Sequence, residues 1–176
     1  IILLGCLILM FPYRIQRIKT YFNPAADPQG QGYHTIQSLI TIGSGGLIGK
    51  GLGSGERKLK FLPEAHKDYI YAVVGEELGF VGTSFVLVLF AIIVFSCFTI
   101  INITSDNYLK FLTAGIGGLF GFQFLLHASV VLHIVPAKGT TLPFFSVGGS
   151  SFLINILALG LLLNITRKIC MEEATE

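Results

Sequence analysis

The stretch FLPEAHKDYIYAVVGEELG (residues 61–79) crowds ionisable side chains beside a long apolar run. Pro63 suits the first turn of a helix, and Glu64 complements the positive N-terminal end of the helix dipole. A helix starting here places Glu64 and Asp68 on one face, one turn apart. Like charges and desolvation both raise the pKa of a carboxylate, which makes it a better general base. The spacing therefore indicates a candidate acid–base site.

The same spacing also fits a charged helix beside a membrane, in which Lys67 extends its ammonium group to the surface. Spacing alone does not decide between a general base and a solvated helix face. Glu76 and Glu77 are predicted to mark the point where the chain enters the bilayer. Neither of these two carboxylates is predicted to be catalytic.

A second candidate is the glycine-rich stretch GSGGLIGKGLGSGERK, which carries Lys50, Arg57 and Lys58. A Walker A loop is excluded, because Ser44 and Gly51 occupy the positions that require Gly and Ser or Thr. Backbone amides and cations in a flexible glycine-rich turn can still hold a pyrophosphate. A solvated loop fits this composition equally well.

A third candidate is VPAKGTTLPFFSVGGSS (residues 135–151), which contains Lys138 and several hydroxyl side chains, including Ser146. Ser150 or Ser151 is predicted to cap the helix that follows, and a helix N-terminus favours an anion. Gln123 and His127 lie four residues apart inside an apolar run, so their shared face is predicted to point into protein or a cavity. A hydrogen bond between helices is the commoner explanation for such a pair.

These candidates are embedded in a strongly apolar chain. Of its 176 residues, 52% are hydrophobic and only 12% are charged, whereas a soluble domain carries about 25% charged residues. Since about 20 apolar residues cross a bilayer, the chain is predicted to be an all-α, polytopic membrane protein. We expect it to comprise the end of one span (1–11), a long loop (12–76) and three spanning helices (78–103, 112–134 and 150–166).

Three spans place the long loop and residues 135–149 on the same side of the membrane. The distribution of Lys and Arg does not decide which side is cytoplasmic. Within the long loop, YRIQRIKTYFNP is basic and amphipathic and suits anionic lipid headgroups, and YHTIQSLITIGSGGLIG is predicted to be a re-entrant or interfacial segment. The net charge of +2 does not favour nucleic acid, and the three cysteines are not spaced for a metal site or a disulfide framework.

Five segments resemble, in order and approximate spacing, the SEDS family of bacterial cell-wall polymerases and shape and division proteins (FtsW, RodA and SpoVE). These segments are PYRIQRI, NPAADPQGQGYHTIQSL, IGSGGLIGKGLG, LPEAHKDYIYAVVGEELGFVG and PAKGTTLPFFSVGGSS. The PEAH motif, the GEELG motif and the two consecutive Ser residues after Gly-Gly are more similar to FtsW than to RodA. The resemblance covers nearly the whole chain.

This resemblance implies a ten-helix membrane fold, of which the chain is the C-terminal part from the end of the seventh helix. It implies a multi-pass protein of the bacterial inner (cytoplasmic) membrane, with the long loop outside the cytoplasm and the C-terminus inside. The activity it implies is a peptidoglycan glycosyltransferase that polymerises lipid II during septal cell-wall synthesis and cell division. Conversion of an α-linked donor into a β-linked polymer requires inversion, for which one base suffices.

The essential acid of the family falls on Asp68, which we expect to take the proton from the 4-hydroxyl of the acceptor sugar. Glu64 and His66 are candidates for tuning Asp68. The substrate contacts expected elsewhere, including cations that neutralise the pyrophosphate, fall on Lys50, Arg57, Lys58, Lys138, Ser146 and Ser150. No cofactor is predicted with certainty, a divalent cation (Mg²⁺ or Mn²⁺) stays an option, and no metal ligands are assigned.

The expected partners are lipid II, a class B penicillin-binding protein transpeptidase, other divisome proteins and membrane lipids. Two alternatives are retained: a lipid II flippase, and a scaffold that docks and activates a transpeptidase. This sequence departs from the common family pattern at four positions. Lys67 replaces a common Thr, His127 and Val131 stand where Asn is frequent, and Val147 replaces a usual Tyr.

Overall fold

The computed structural model describes residues 21–23, 31–54, 69–136, 139–146 and 148–173. Most of these residues lie in four helices: α1 (Gln31–Gly45), α2 (Ile70–Ile103), α3 (Asn107–Val131) and α4 (Gly149–Glu173). No β-strand occurs in these ranges, and α2, α3 and α4 are each long and apolar enough to cross a membrane. The prediction of an all-helical, polytopic membrane protein is therefore confirmed.

A three-residue connection joins α2 to α3 and makes them antiparallel neighbours. Thr104 ends α2 by donating its backbone N–H to the Ile100 carbonyl, and Asp106 accepts a hydrogen bond of 2.8 Å from the Tyr108 N–H. Asp is a favoured N-cap residue, because its carboxylate satisfies an N–H that has no partner within the helix. The cap starts α3 at Asn107, ahead of the apolar run from which the expected span 112–134 was derived.

A break at Gly79 divides α2 into a short arm (residues 70–78) and a long arm (residues 80–103). Gly79 has φ 65° and ψ −158°, which is not a helical conformation. The short arm folds back on the long arm, since the Tyr71 hydroxyl donates to the Thr83 carbonyl at 3.2 Å. Twelve residues of unbroken helix would separate these two positions by about 18 Å. Only the long arm is therefore placed to continue straight through a bilayer.

Aromatic side chains join the two arms of α2 to α3. The Phe90 and Phe124 rings stack with their centroids 4.7 Å apart, and Tyr71 packs edge-on against Phe124 at 5.8 Å. Offset and edge-to-face arrangements of this kind suit the quadrupoles of aromatic rings. Val131 and Leu142 belong to the same buried cluster, which therefore connects the short arm, both long helices and the chain that follows α3.

A second cluster holds α2, α3 and α4 together further along the bundle. It contains Cys97, Ile116, Phe120 and Leu162. A Cβ atom added to Gly117 would lie 2.8 Å from the Cys97 Cβ, so a small residue permits the close approach of α2 and α3. Large apolar side chains elsewhere on the three long helices are exposed, among them Phe95, Phe122 and Leu157. Such a surface suits acyl chains rather than water.

Candidate functional site

The structure describes three of the nine residues predicted to act on the substrate. Lys50 follows α1, Ser146 lies between α3 and α4, and Ser150 lies in the first turn of α4. All three lie at the end of the bundle where the long arm of α2 begins and α3 ends. The other six lie outside the described residues: Arg57, Lys58, Glu64, His66, Asp68 and Lys138.

The glycine loop (residues 46–54) is bonded into the break in α2. In an unbroken helix, Phe80 and Val81 would donate their backbone N–H groups to the carbonyls of Glu76 and Glu77. Instead, Phe80 donates to Gly46 at 2.9 Å and Val81 donates to Leu47 at 3.2 Å. The two vacated carbonyls accept from the loop, Glu76 from the Lys50 N–H and Glu77 from the Gly51 N–H, each at 3.0 Å.

These four hydrogen bonds replace the helix bonds that the break removes. Unpaired backbone groups at membrane depth cost several kcal/mol each, so a broken helix persists only where other groups satisfy it. The glycine loop provides that satisfaction here. The backbone of the first half of the glycine loop is therefore held against α2, while the side chains of Leu47 and Ile48 are exposed.

Two pairs of glycines make this close approach possible. Gly45 and Gly49 are four residues apart on one segment, and Gly75 and Gly79 are four residues apart on the other. A Cβ atom on Gly45 would overlap the Gly75 carbonyl, and one on Gly49 would overlap the Glu77 backbone. Small residues at these positions let the end of α1 and the glycine loop lie directly against the backbone of the short arm. The repeated Gly-x-x-x-Gly spacing is a local sequence signal of this close contact.

An ion pair accompanies the backbone contacts. The Lys50 ammonium lies 3.0 Å from Oε1 of Glu76, whose side chain is fully buried. A cation is also favourable near the C-terminal end of the short arm, where the helix dipole is negative. We refer to the four backbone hydrogen bonds together with this ion pair as the clasp. Glu76, which the sequence predicts to mark the point of bilayer entry, is thus also a buried partner of a candidate substrate-binding residue.

The clasp brings together two parts of the chain that are 25 residues apart in sequence, Gly51 and Glu76. The chain leaves it at Gly51 and returns to it at Glu76, so the segment between these residues begins and ends at one place. Asp68 belongs to this segment by sequence, and the described chain resumes at its neighbour Tyr69. Tyr69 is buried and shares a cluster with Leu142. The segment that follows Asp68 is therefore anchored both to the clasp and to the connection between α3 and α4.

The connection between α3 and α4 folds back onto α3. His127 is fully buried, and its Nδ1 lies 2.7 Å from the Thr140 carbonyl. A carbonyl only accepts, so this geometry places a proton on Nδ1. The hydrogen bond between a helix and a loop agrees with the interpretation that His127 faces protein. His127 thus holds the loop rather than pointing at lipid.

Ser146 stabilises the same connection from within. Its hydroxyl accepts a hydrogen bond of 2.7 Å from the Leu142 backbone N–H, and its own N–H donates to the Leu142 carbonyl at 3.0 Å. Between them, Phe144 adopts φ 67°, an uncommon backbone conformation for a bulky residue. The Phe144 ring packs on Phe120 with centroids 5.4 Å apart, so tertiary packing supports this strained turn.

The helix start near Ser150 differs from the predicted cap. Helix α4 begins at Gly149, so Ser150 and Ser151 both lie inside its first turn. The Phe152 N–H donates to the Gly148 carbonyl at 2.8 Å. Ser151 instead pairs with the Thr141 hydroxyl at 3.1 Å, which ties α4 to the loop. Ser150 is exposed and is available for a contact outside this chain segment.

Replacing Ser146 and Ser150 separately tests these two roles. We expect Ser146→Ala to lower the free energy of unfolding by about 1–3 kcal/mol, because it leaves the buried Leu142 N–H without its acceptor. Ser150→Ala should change it by no more than about 0.5 kcal/mol, as is usual for exposed sites. Thermal unfolding of the full-length protein in detergent measures both. Equal losses for the two variants would contradict the structural role of Ser146.

No candidate ligand set for a divalent cation appears in the part of the chain that the structure describes. There, no three His, Cys, Asp or Glu side chains come close enough to hold one metal ion. Glu76, the buried carboxylate in the clasp, is already paired with a lysine. The site in these ranges is thus built from backbone contacts, one ion pair and hydroxyl groups.

Comparisons with known proteins agree with this architecture. A family model for FtsW/RodA/SpoVE, described as "Cell cycle protein", matches residues 1–170. The chain is 45% identical over 163 residues to a "Probable peptidoglycan glycosyltransferase FtsW" of Trichlorobacter lovleyi, covering 93% of this chain and 43% of that protein. It is 43% identical over 161 residues to "Stage V sporulation protein E" of Bacillus subtilis, covering 92% and 44%.

A solved structure has the same arrangement of helices. The match to a chain from a peptidoglycan synthase complex, studied for its "structural coordination of polymerization and crosslinking", has a TM-score of 0.73 at 31% identity. It covers 95% of this chain and 46% of the solved chain. The present chain therefore spans half or less of the length of the curated relatives and of the solved structure that it matches.

Proposed function

Because this chain belongs to the FtsW/RodA/SpoVE family of cell cycle proteins, we propose that it is the C-terminal part of a peptidoglycan glycosyltransferase that polymerises lipid II. Similarity to relatives named as FtsW favours a role in septal wall synthesis and cell division. The observation that carries the proposal is the anchoring of the segment after Asp68. Tyr69 and Leu142 share one buried cluster, so two predicted site regions meet at one end of the bundle.

The proposed reaction joins two lipid-linked disaccharides at the outer face of the membrane. The Asp68 carboxylate accepts the proton of the 4-hydroxyl of the acceptor sugar, and that oxygen forms a bond to the anomeric carbon of the donor. The bond from the anomeric carbon to undecaprenyl pyrophosphate breaks, and the leaving group takes the electron pair. A single base is sufficient for this inverting displacement.

Charge develops on the pyrophosphate as it leaves, and nearby cations stabilise it. The cations proposed from the sequence are Lys50, Arg57, Lys58 and Lys138. The ion pair with Glu76 occupies the ammonium of Lys50, which favours the other three for this role. Glu64 and His66 are proposed to tune Asp68, and exposed Ser150 is the hydroxyl best placed to contact substrate.

The membrane location, topology and partners of the protein are also proposed from its membership of this family. The chain is a multi-pass membrane protein, and we assign it to the bacterial inner membrane, with the loop carrying Asp68 outside the cytoplasm and the C-terminus inside. A class B penicillin-binding protein is the proposed partner, since the similar solved chain comes from a complex concerned with polymerization and crosslinking. Divisome proteins and anionic membrane lipids are the further partners proposed.

The test is polymerisation of lipid II by the full-length protein, reconstituted with its transpeptidase partner in liposomes. A glycosyltransferase produces glycan strands whose synthesis persists when the penicillin-binding site of the partner is blocked. Transport of labelled lipid II across the bilayer without any polymer would instead support the flippase. A complete lack of polymer and transport, together with activation of the partner, would support the scaffold.

A further inference from the structure

The clasp contains a buried charge that the proposed chemistry does not use. The Glu76 side chain is fully buried, whereas the side chain of Lys50 is 39% exposed. A buried carboxylate is strongly unfavourable unless a cation or several hydrogen bonds compensate it. Its other oxygen, Oε2, has no hydrogen-bond partner in the described parts of the chain. Among the described residues, Lys50 is therefore the cation that compensates this carboxylate.

We propose that Lys50 is a positioning residue for the proposed glycosyl transfer, because its ammonium compensates the buried charge of Glu76 and so keeps the glycine loop bonded into the break in α2. The inference rests on the proposed function. The locked loop fixes the short arm, which begins two residues after Asp68. Lys50 thus acts on the reaction through the backbone, not through contact with the sugar or pyrophosphate.

The backbone geometry of Lys50 supports this role over a direct contact with substrate. Its N–H donates to the Glu76 carbonyl at 3.0 Å, and its ammonium lies 3.0 Å from the carboxylate of the same residue. Both hydrogen-bond donors of Lys50, its backbone N–H and its ammonium, thus meet Glu76. The next residue, Gly51, continues the same contact through the Glu77 carbonyl. A lysine held in this way aligns two chain segments across the break.

The two partners differ in what their removal leaves behind. Lys50→Met removes the cation and leaves a buried carboxylate without compensation. Glu76→Gln removes the buried charge, retains an oxygen acceptor, and leaves a lysine that is exposed enough to be hydrated. The double variant Lys50→Met/Glu76→Gln carries neither charge. We therefore expect Lys50→Met to lose more activity and stability than Glu76→Gln, and the double variant to recover what Lys50→Met loses.

The experiment measures lipid II polymerisation by the full-length protein with its partner, for each single variant and the double variant. We expect Lys50→Met to lower kcat by roughly tenfold or more, because slight misplacement of a reacting group is enough for such a loss. KM for lipid II should stay within about twofold, since no substrate contact is removed. Glu76→Gln and the double variant should both retain activity within roughly threefold of the wild type.

Two further variants serve as controls. Lys50→Arg keeps the positive charge and should stay active, whereas Lys110→Met removes a lysine near the start of α3, at the other end of the bundle, and should have no effect. A folded double variant that is no more active than Lys50→Met overturns the proposal and assigns Lys50 to the substrate. A double variant that folds no better than Lys50→Met overturns it as well. Full activity of a folded Lys50→Met variant overturns it as well.

Failure of the proposed function is recognised separately in the same assay. If the wild-type protein makes no polymer, the glycosyltransferase assignment fails before any variant is compared. The clasp itself then remains testable by thermal unfolding in detergent. Lys50→Met should lower the melting temperature, and adding Glu76→Gln should raise it again. Equal melting temperatures for Lys50→Met and the wild type would refute the ion pair as the lock.

Discussion

Asp68→Asn in the full-length protein is expected to lower the rate of lipid II polymerisation by about 10²–10⁴-fold, the range typical of loss of a general base. Asn has nearly the same shape as Asp but cannot accept the proton of the acceptor hydroxyl at neutral pH. The loss should therefore appear in kcat, with lipid II binding largely retained. Single-turnover polymerisation of fluorescent lipid II, resolved by strand length, measures the change directly.

The matched control for this variant is Asp106→Asn. Asp106 is an exposed aspartate that caps α3 at the other end of the bundle, where it accepts from the Tyr108 N–H. Asn serves as an N-cap about as well as Asp, so the control changes the same charge without weakening the helix. It should retain normal activity. If Asp68→Asn made glycan strands at a rate close to that of Asp106→Asn, Asp68 would not be the base.

The membrane-spanning helices could be predicted from the sequence because the signal for them, a long uncharged run, lies within each segment. A long run without charged residues predicts a membrane span without any knowledge of the other segments. The structure has a long helix in each of these runs. The first and last residues of these helices were harder to predict, because capping interactions determine where a helix begins and ends. Asp106 starts α3, and Gly149 rather than a serine begins α4. Hydropathy does not report either event.

The clasp was not predicted, because it depends on pairing between segments that are distant in sequence. In the sequence, Glu76 stands beside a long apolar run, as a residue at the membrane surface would. Its burial and its pairing with Lys50 are visible only in the structure. Lys50 likewise looked like a cation for pyrophosphate within a flexible loop. The one local sign was the matching Gly-x-x-x-Gly spacing at Gly45 and Gly75, which predicts close backbones without naming the partner segment.

The polar residues near the connection between α3 and α4 were also predictable only in part. Ser146 was a candidate for substrate contact because of its place in a polar loop, but its hydroxyl accepts from the Leu142 N–H. A buried turn requires such internal hydrogen bonds, and sequence does not reveal which hydroxyl supplies them. His127 was correctly expected to face protein, because a polar side chain inside a span rarely faces lipid. The role of Asp68 stays a prediction that the polymerisation assay decides.

Gly79→Ala is expected to destabilise the protein by roughly 3–5 kcal/mol, which is a large effect for one methyl group. Its φ of 65° and ψ of −158° fall in a region that is essentially restricted to glycine. The added Cβ would also lie 2.7 Å from the Leu47 backbone carbonyl. Backbone atoms cannot move aside as a side chain can, so the glycine loop must separate from the break.

Hydrogen exchange identifies where that separation occurs. In Gly79→Ala, the N–H groups of Lys50, Gly51, Phe80 and Val81 should exchange faster, because all four lose their carbonyl acceptors. Peptides from the middle of α3 should exchange as in the wild type. The fall in melting temperature should accompany a loss of polymerisation, since the base of the loop that carries Asp68 has opened.

Gly118→Ala is the matched control, because it adds the same methyl group to a glycine within α3 that has open space around it. Alanine is favoured over glycine inside a helix by about 0.5–1 kcal/mol, so this variant should be at least as stable as the wild type. A Gly79→Ala variant that matched Gly118→Ala in melting temperature and exchange would show that α2 does not need its break. The contacts of the glycine loop with α2 would then be incidental, and the positioning role of Lys50 would lose its structural basis.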